Sequence, residues 1–113
     1  MLRSILFLGG LSAMDIKCHT DGHLGARKLD LVHAAKFLEE TSFFWHYSNG
    51  CSTVAAWNAS GVYLCHENSE TITIDSREIG RLAYEGINAC STTVFVAEVH
   101  TSQHITVRLA KPS

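Results

Sequence analysis

The composition of this 113-residue chain is that of one globular domain. Apolar residues make up 46% of it and charged residues 18%, with a single proline, which argues against an intrinsically disordered chain. The net charge is −2 with neutral histidines, and the basic residues are scattered, so the sequence does not predict a nucleic-acid surface.

The first thirteen residues have the order of a secretory signal peptide. Arg3 gives a basic start, the stretch from Ile5 to Leu11 is apolar, and Ser12-Ala13 ends it with small residues. The apolar stretch is too short for a membrane-spanning helix, which needs about 20 residues. We therefore predict a signal peptide at residues 1–13 and a single domain at 14–113. An edge strand at Ser4–Leu8 is the alternative.

The elements that follow begin with a short extended segment through Cys18 and a helix. Apolar residues at helical spacing predict this helix over about Ala26–Glu40. Two segments rich in β-branched and aromatic residues, Cys51–Trp57 and Gly61–His66, then predict a hairpin around the turn Asn58–Gly61.

The second helix begins at Asp75, which with Glu78 has the form of a capping box. Its apolar face comprises Ile79, Leu82, Ala83, Gly86, Ile87 and Cys90. Gly86 indicates close approach to a strand. A second hairpin is predicted from Thr92–Val99 and His104–Leu109, with a turn at residues 100–103. The order β-α-β-β-α-β-β predicts an α+β sandwich, with two helices on one face of a mostly antiparallel sheet.

The cysteines predict two disulfides. Their number is even, they are widely spaced, and no C-x-x-C pair is present: Cys18, Cys51, Cys65 and Cys90. In a short chain this pattern is typical of an extracellular protein. The spacing leaves all three connectivities open. Because Cys90 ends the buried face of the second helix, we expect it to bond to a strand cysteine.

Histidines are the main candidates for metal chemistry. The pairs His19/His23 and His100/His104 have the i, i+4 spacing of zinc or copper ligands, which makes them weak metal candidates. Both pairs fall in predicted turns and lack the glutamate of an H-E-x-x-H motif, so we interpret them as surface residues. Glu98 and His100 could share one strand face, but an exposed polar face predicts the same pattern. We expect no catalytic residue, no bound metal and no cofactor.

Two further features concern binding and modification. Phe43, Phe44, Trp45 and Tyr47 form an aromatic run that cannot all point inward, and this run is the predicted binding surface. The alternative is that the run wraps around the end of the first helix. Asn58-Ala59-Ser60 is an acceptor sequence for N-glycosylation at Asn58.

Several segments together resemble the killer-toxin-like family of small secreted fungal proteins. They are Ile16-Lys17-Cys18, the first helix, Tyr47-Ser48-Asn49-Gly50-Cys51, Val62-Tyr63-Leu64-Cys65, the helix from Ile79 to Cys90, and the strand Ile105–Leu109. The chain departs from the family in its fewer cysteines and in His19–Gly22, where a Gly-Ser-rich segment is usual. The resemblance implies extracellular proteins that act on competing microbes or a plant host, without cofactor or known catalytic residues.

The expected function is that of a small secreted, non-enzymatic interaction protein, effector-like or toxin-like. Its expected partner is an extracellular protein, a cell-wall component or a membrane component, bound by a monomer. The alternative is a small secreted metal-binding protein or enzyme that uses the turn histidines.

Overall fold

Nine elements make up the structure, a computed structural model that describes residues 5–8, 12–20, 24–41, 44–101 and 104–111. In chain order they are β1 Ile5–Leu8, β2 Ala13–His19, β3 Ala26–Arg27, α1 Lys28–Glu40, β4 Phe44–Trp57, β5 Ser60–Asp75, α2 Ser76–Ala89, β6 Val94–Thr101 and β7 Ile105–Ala110. Both helices pack against a mostly antiparallel sheet, which confirms the predicted α+β class.

The sheet is built around the long strand β5. Its first half, residues 61–66, lies between β4 and β7, and β7 leads on through β6 to β2 at the far edge. In its second half, residues 71–74 pair with β1 in parallel, and residues 72–74 also pair with β4. β3 adds a two-residue pairing to the start of β6. Within the described residues β1, β2 and β4 each pair with one strand of the main sheet only, so all three are edge strands.

The core lies between the helices and one face of the sheet. α1 contributes Leu31, Ala34, Ala35 and Leu38, α2 contributes Ile79, Leu82, Ala83 and Ile87, and the sheet contributes Val62, Leu64, Val99, Val107 and Leu109, all at most 1% exposed. Gly86 lies where α2 crosses the sheet. A Cβ there would stand 2.8 Å from Val99 Cγ2, so the close approach predicted for Gly86 is confirmed.

Helix α2 begins as predicted at Asp75, whose carboxylate accepts a hydrogen bond from the Arg77 backbone N–H at 2.9 Å. Glu78 makes a different contact from the predicted one. Its carboxylate accepts hydrogen bonds from the Arg81 guanidinium, three residues further on, instead of reaching back to the cap. Helix α1 begins at Lys28, two residues later than predicted, because Ala26 and Arg27 pair with β6.

Two predicted turns are partly strand. His19 belongs to β2, where it pairs with Val96, and His100 belongs to β6, where it pairs with both Asp15 and Thr106. The placement of these histidines in turns was therefore wrong for both. The reason is that β6 pairs with β2 as far as Thr101 and with β7 as far as His100, which local sequence does not reveal.

The two disulfides join Cys18 to Cys90 and Cys51 to Cys65. The first ties the end of α2 to β2, which confirms that Cys90 bonds to a strand cysteine. The second joins directly opposite residues of β4 and β5. No described cysteine is free.

Residues Ile5–Leu8 form β1, so this part of the predicted leader occupies a strand position in the full chain. Removal of residues 1–13 as a signal peptide stays a prediction. No helix within the described residues is long and apolar enough to cross a membrane.

Candidate functional site

A groove opens at the start of α1, where four separate parts of the chain meet. It consists of two adjoining depressions of about 460 and 530 Å³, which share Arg27, Asp30 and Val94 as lining residues. The first depression extends to the β4–β5 turn and to Lys111, and the second extends along Lys28, Leu29 and Thr93. We refer to these two depressions together as the α1 groove.

Hydrogen bonds from each wall hold the α1 groove in shape. The Arg27 backbone N–H donates to Ser60 Oγ at 3.0 Å, and the Lys28 N–H donates to the Thr93 carbonyl at 2.8 Å. The Lys111 N–H donates to the Leu24 carbonyl, also at 2.8 Å. Because Ser60 is only 1% exposed, its hydroxyl is a fixed part of the wall. A groove held in this way is organised before a ligand arrives.

The charge of the α1 groove is predominantly positive. Arg27, Lys28 and Lys111 line it, against the single carboxylate of Asp30. Lys28 Nζ donates to the Cys90 carbonyl at 3.2 Å, and Asp30 Oδ1 accepts from Asn58 Nδ2 at 3.1 Å. Arg27 and Lys111 are exposed and form no ion pair with any described residue. Their charges are thus available to a ligand.

Arg27 and Lys28 lie at the N-terminus of α1, the positive end of the helix dipole. A helix N-terminus carries partial positive charge, so cations there are unfavourable by about 0.3–1 kcal/mol each. Arg27 is the N-cap residue, its side chain makes no capping hydrogen bond, and Lys28 follows it. The last turn holds no basic residue but ends in Glu39 and Glu40. Charges placed opposite to the preference of the helix dipole are typical of a functional site.

Exposed apolar side chains lie beside the charges. Leu29 is 76% exposed and Val94 is 40% exposed, and both line the second depression. Near the β4–β5 turn, Trp57 is 48% exposed and stacks on His33 with ring centroids 4.9 Å apart. The α1 groove can therefore contact both an anionic group and an apolar one.

Asn58 lies at the rim of the α1 groove, in the two-residue turn between β4 and β5. It is exposed, has a left-handed φ of 54°, and donates from Nδ2 to Asp30. Nδ2 is the atom to which an N-linked glycan attaches. Glycosylation at Asn58 stays a prediction, and a glycan there would stand at the mouth of the groove.

The aromatic run predicted as the binding surface is separate from the α1 groove. Phe44, Trp45 and Tyr47 belong to β4, where they pair with Asp75, Ile74 and Ile72 of β5. Phe43 lies outside the described residues. The structure describes only the backbone of the other three, so their part in binding stays a prediction.

The described members of the predicted metal pairs lie in different elements. His19 lies in β2, His100 lies in β6, His104 follows the β6–β7 turn with a φ of 60°, and His23 lies outside the described residues. In the part of the chain that the structure describes, no three His, Cys, Asp or Glu side chains are grouped to hold a metal ion.

Glu98 and His100 do share a face of β6, the one turned away from the helices. His100 Nε2 lies 3.1 Å from Glu98 Oε1, and His100 Nδ1 lies 3.1 Å from Thr106 Oγ1 on β7. The row joins a hydroxyl, an imidazole and a carboxylate, as hydrolase triads do. Its side chains are about one-third exposed on an open sheet face, and they do not line the α1 groove.

The α1 groove was not predicted from the sequence, although one signal was present. Two cations directly before a helix that ends in two glutamates reverse the usual arrangement, and this is readable in Arg27-Lys28 and Glu39-Glu40. The other contributors, Val94 and Lys111, are distant in sequence and join the site only through the fold.

Comparisons with protein-family models, with characterised proteins and with solved structures find no match to this chain.

Proposed function

We propose that this protein is a small secreted, non-enzymatic interaction protein, effector-like or toxin-like, that binds an acidic segment of a partner protein in the α1 groove. The observation that carries the proposal is the pair of exposed cations, Arg27 and Lys111, in a groove that also exposes Leu29 and Val94. The two disulfides support an extracellular location. The resemblance to killer-toxin-like fungal proteins supports action on a host or a competing microbe.

The chemistry of the α1 groove favours a carboxylate next to an apolar side chain. Arg27 presents a planar guanidinium, which pairs with carboxylates through two parallel hydrogen bonds. The first turn of α1 adds positive potential from its backbone N–H groups. Leu29 and Val94 would contact the neighbouring apolar side chain and exclude water from the ion pair.

The test is selection of peptides from a random displayed library on the full, disulfide-bonded protein. We expect enrichment of sequences in which Asp or Glu lies next to Leu, Ile or Phe. Arg27→Glu is expected to weaken binding of a selected peptide about tenfold or more, because a hydrogen bond to a charged group contributes about 1.5–3 kcal/mol. Fluorescence anisotropy of the labelled peptide measures this affinity.

Lys36→Glu is the matched control, because Lys36 is an exposed cation on the same helix and outside the groove. It changes the net charge equally and should leave affinity within about twofold, as for surface charges remote from a site. Equal loss in both variants would show that only overall charge matters. Binding to phosphatidylserine vesicles without any selected peptide would overturn the assignment to a protein partner.

The contacts of His100 bear on the alternative of a metal-binding protein that uses these histidines. Both of its ring nitrogens lie within hydrogen-bond distance of protein oxygens. A metal ligand needs a free nitrogen lone pair, so metal binding by His100 would require breaking one of these contacts. Zinc or copper titration followed by the histidine NMR signals tests the alternative, and a shift of His100 at micromolar metal would support it.

A further inference from the structure

We propose that the free edge of β4 pairs with the same edge of a second copy of this chain, forming a reversible antiparallel dimer. β4 runs over 14 residues, from Phe44 to Trp57, and among the described residues it pairs with no strand but β5. An unpaired strand edge is a template for addition of another strand.

The register of β4 shows which of its backbone groups face outward. Cys51 and Cys65 are directly opposite, with a Cα–Cα distance of 4.0 Å, which is typical of a non-hydrogen-bonded antiparallel pair. In such a pair the N–H and C=O groups point away from the neighbouring strand. Because this orientation alternates along a strand, the backbone N–H and C=O groups of Asn49 and Thr53 also point away from β5. The Glu67 N–H is consistent with this, since it turns away from β4 and donates to the His104 carbonyl at 3.1 Å.

These three residues form a self-complementary set. Between the irregularities at 47/49 and 53/55, the pairing of β4 with β5 is regular, so the outward groups of Asn49, Cys51 and Thr53 lie in line. Around a two-fold axis at Cys51, this residue faces its own copy and Asn49 faces Thr53 of the other chain. Each facing pair exchanges two hydrogen bonds, giving six in all.

The charge pattern selects a second copy as the occupant. Residues 44–57 contain no Asp, Glu, Lys, Arg or Pro, so the edge lacks the charges and prolines that prevent self-pairing. Two copies can therefore pair through this edge without like-charge repulsion. A charged partner would find no side chain of opposite charge on the edge with which to form an ion pair. The edge strand β2, in contrast, carries exposed Asp15 and Lys17. This proposal revises the expectation of a monomer and does not depend on the α1 groove.

The test is sedimentation equilibrium of the full, disulfide-bonded protein between about 10 µM and 1 mM, the range that populates weak complexes. We expect the average mass to approach that of a dimer at the upper end. Thr53→Pro removes one outward N–H without removing a hydrogen bond to β5, and it should remain a monomer throughout. Thr53→Val retains that N–H and should dimerise like the wild type. A wild type that stays monomeric, or a Thr53→Pro that dimerises equally, would overturn the proposal.

Amide hydrogen exchange of the wild type tests pairing through β4 even if Thr53→Pro fails to fold. In a dimer, the amides of Asn49, Cys51 and Thr53 become protected as concentration rises, and the inward amide of Ser52 does not change. Equal exchange of the outward amides at both concentrations would refute pairing through β4, including the case of a dimer formed by another surface.

Discussion

Gly80 lies where α1 and α2 touch, and it determines how closely the two helices approach. A Cβ at this position would stand 2.8 Å from Glu39 Cγ and 2.9 Å from the Ala35 carbonyl oxygen. The second of these neighbours is backbone, which cannot turn aside as a side chain does. The buried small residues Ala34 and Ala35 on α1 serve the same close contact.

Gly80→Ala is therefore expected to lower the free energy of unfolding by up to about 2 kcal/mol. Overpacking costs typically about 1–3 kcal/mol, and the better helix propensity of alanine recovers about 1 kcal/mol of that. Urea denaturation followed by circular dichroism measures the difference. Asn88→Ala, exposed on the same helix, isolates propensity and should be neutral or slightly stabilising. A Gly80→Ala more stable than the wild type by about 1 kcal/mol, the full gain in helix propensity, would show that the helices separate freely.

Asp75 links the stability of α2 to pH. Hydrogen bonds from the Arg77 side chain and backbone, together with its positive charge, hold the pKa of the Asp75 carboxyl below its ordinary value. A carboxyl whose pKa is lower in the folded state stabilises the fold above its unfolded pKa of about 3.9. This contribution is lost as the pH falls through the folded pKa.

Asp75→Ala should cost about 1 kcal/mol of unfolding free energy at pH 7, the usual cost of losing an N-cap. At about pH 2 the difference from the wild type should shrink, because this pH lies below the unfolded pKa of about 3.9 and the stabilisation falls as the pH approaches the lowered folded pKa. Asp75→Asn keeps a capping oxygen without the charge, so it should lose less than Asp75→Ala at pH 7. Urea titrations at both pH values test this, and a cost independent of pH would contradict the role of the charge.

At the scale of elements, the two helices pack over different parts of the sheet. α1 packs over β4 and β5, and α2 packs over β2, β5, β6 and β7. The disulfide Cys18–Cys90 fixes the end of α2 to the edge strand β2 and closes a loop of 72 residues, against 14 for Cys51–Cys65. The longer loop restricts the unfolded chain more strongly.

Cys18→Ala/Cys90→Ala should therefore destabilise the fold more than Cys51→Ala/Cys65→Ala. The loop-entropy relation gives about 4 kcal/mol for the first pair and about 3 kcal/mol for the second. Cys90 is 2% exposed, so its replacement also leaves a small cavity, which increases the difference. Guanidinium denaturation of the two double variants measures the order. The reverse order would show that the hairpin bridge, not the helix bridge, limits unfolding.

At the scale of the whole molecule, β1 is a short strand at one edge of the sheet. It contributes four residues and pairs with residues 71–74 of β5, of which 72–74 are also paired with β4. Both disulfides, both helices and the α1 groove lie within residues 14–113. A chain without residues 1–13 therefore retains every element that forms the proposed site.

We expect the secreted protein to begin at Met14 and to carry both disulfides. Intact-mass spectrometry of material from the culture medium, with and without reduction, measures both properties. The chain from residue 14 should also show the same far-ultraviolet circular dichroism as the full chain, apart from the small contribution of β1. A mature protein that retains residues 5–8 would instead make β1 a permanent strand of the sheet.

The sequence by itself determined the types and order of the main elements, because these follow from local periodicity and capping. The apolar spacing from Ile79 to Ile87, the cap at Asp75 and the turn at Asn58 all act over a few residues. Only the tertiary structure decided which cysteines pair, where β6 ends and which side chains line the α1 groove. Arg27, Val94 and Lys111 are brought together by pairing of β3 with β6 and by the Lys111–Leu24 hydrogen bond. Such contacts depend on the relative placement of segments far apart in the chain, and no local pattern encodes them.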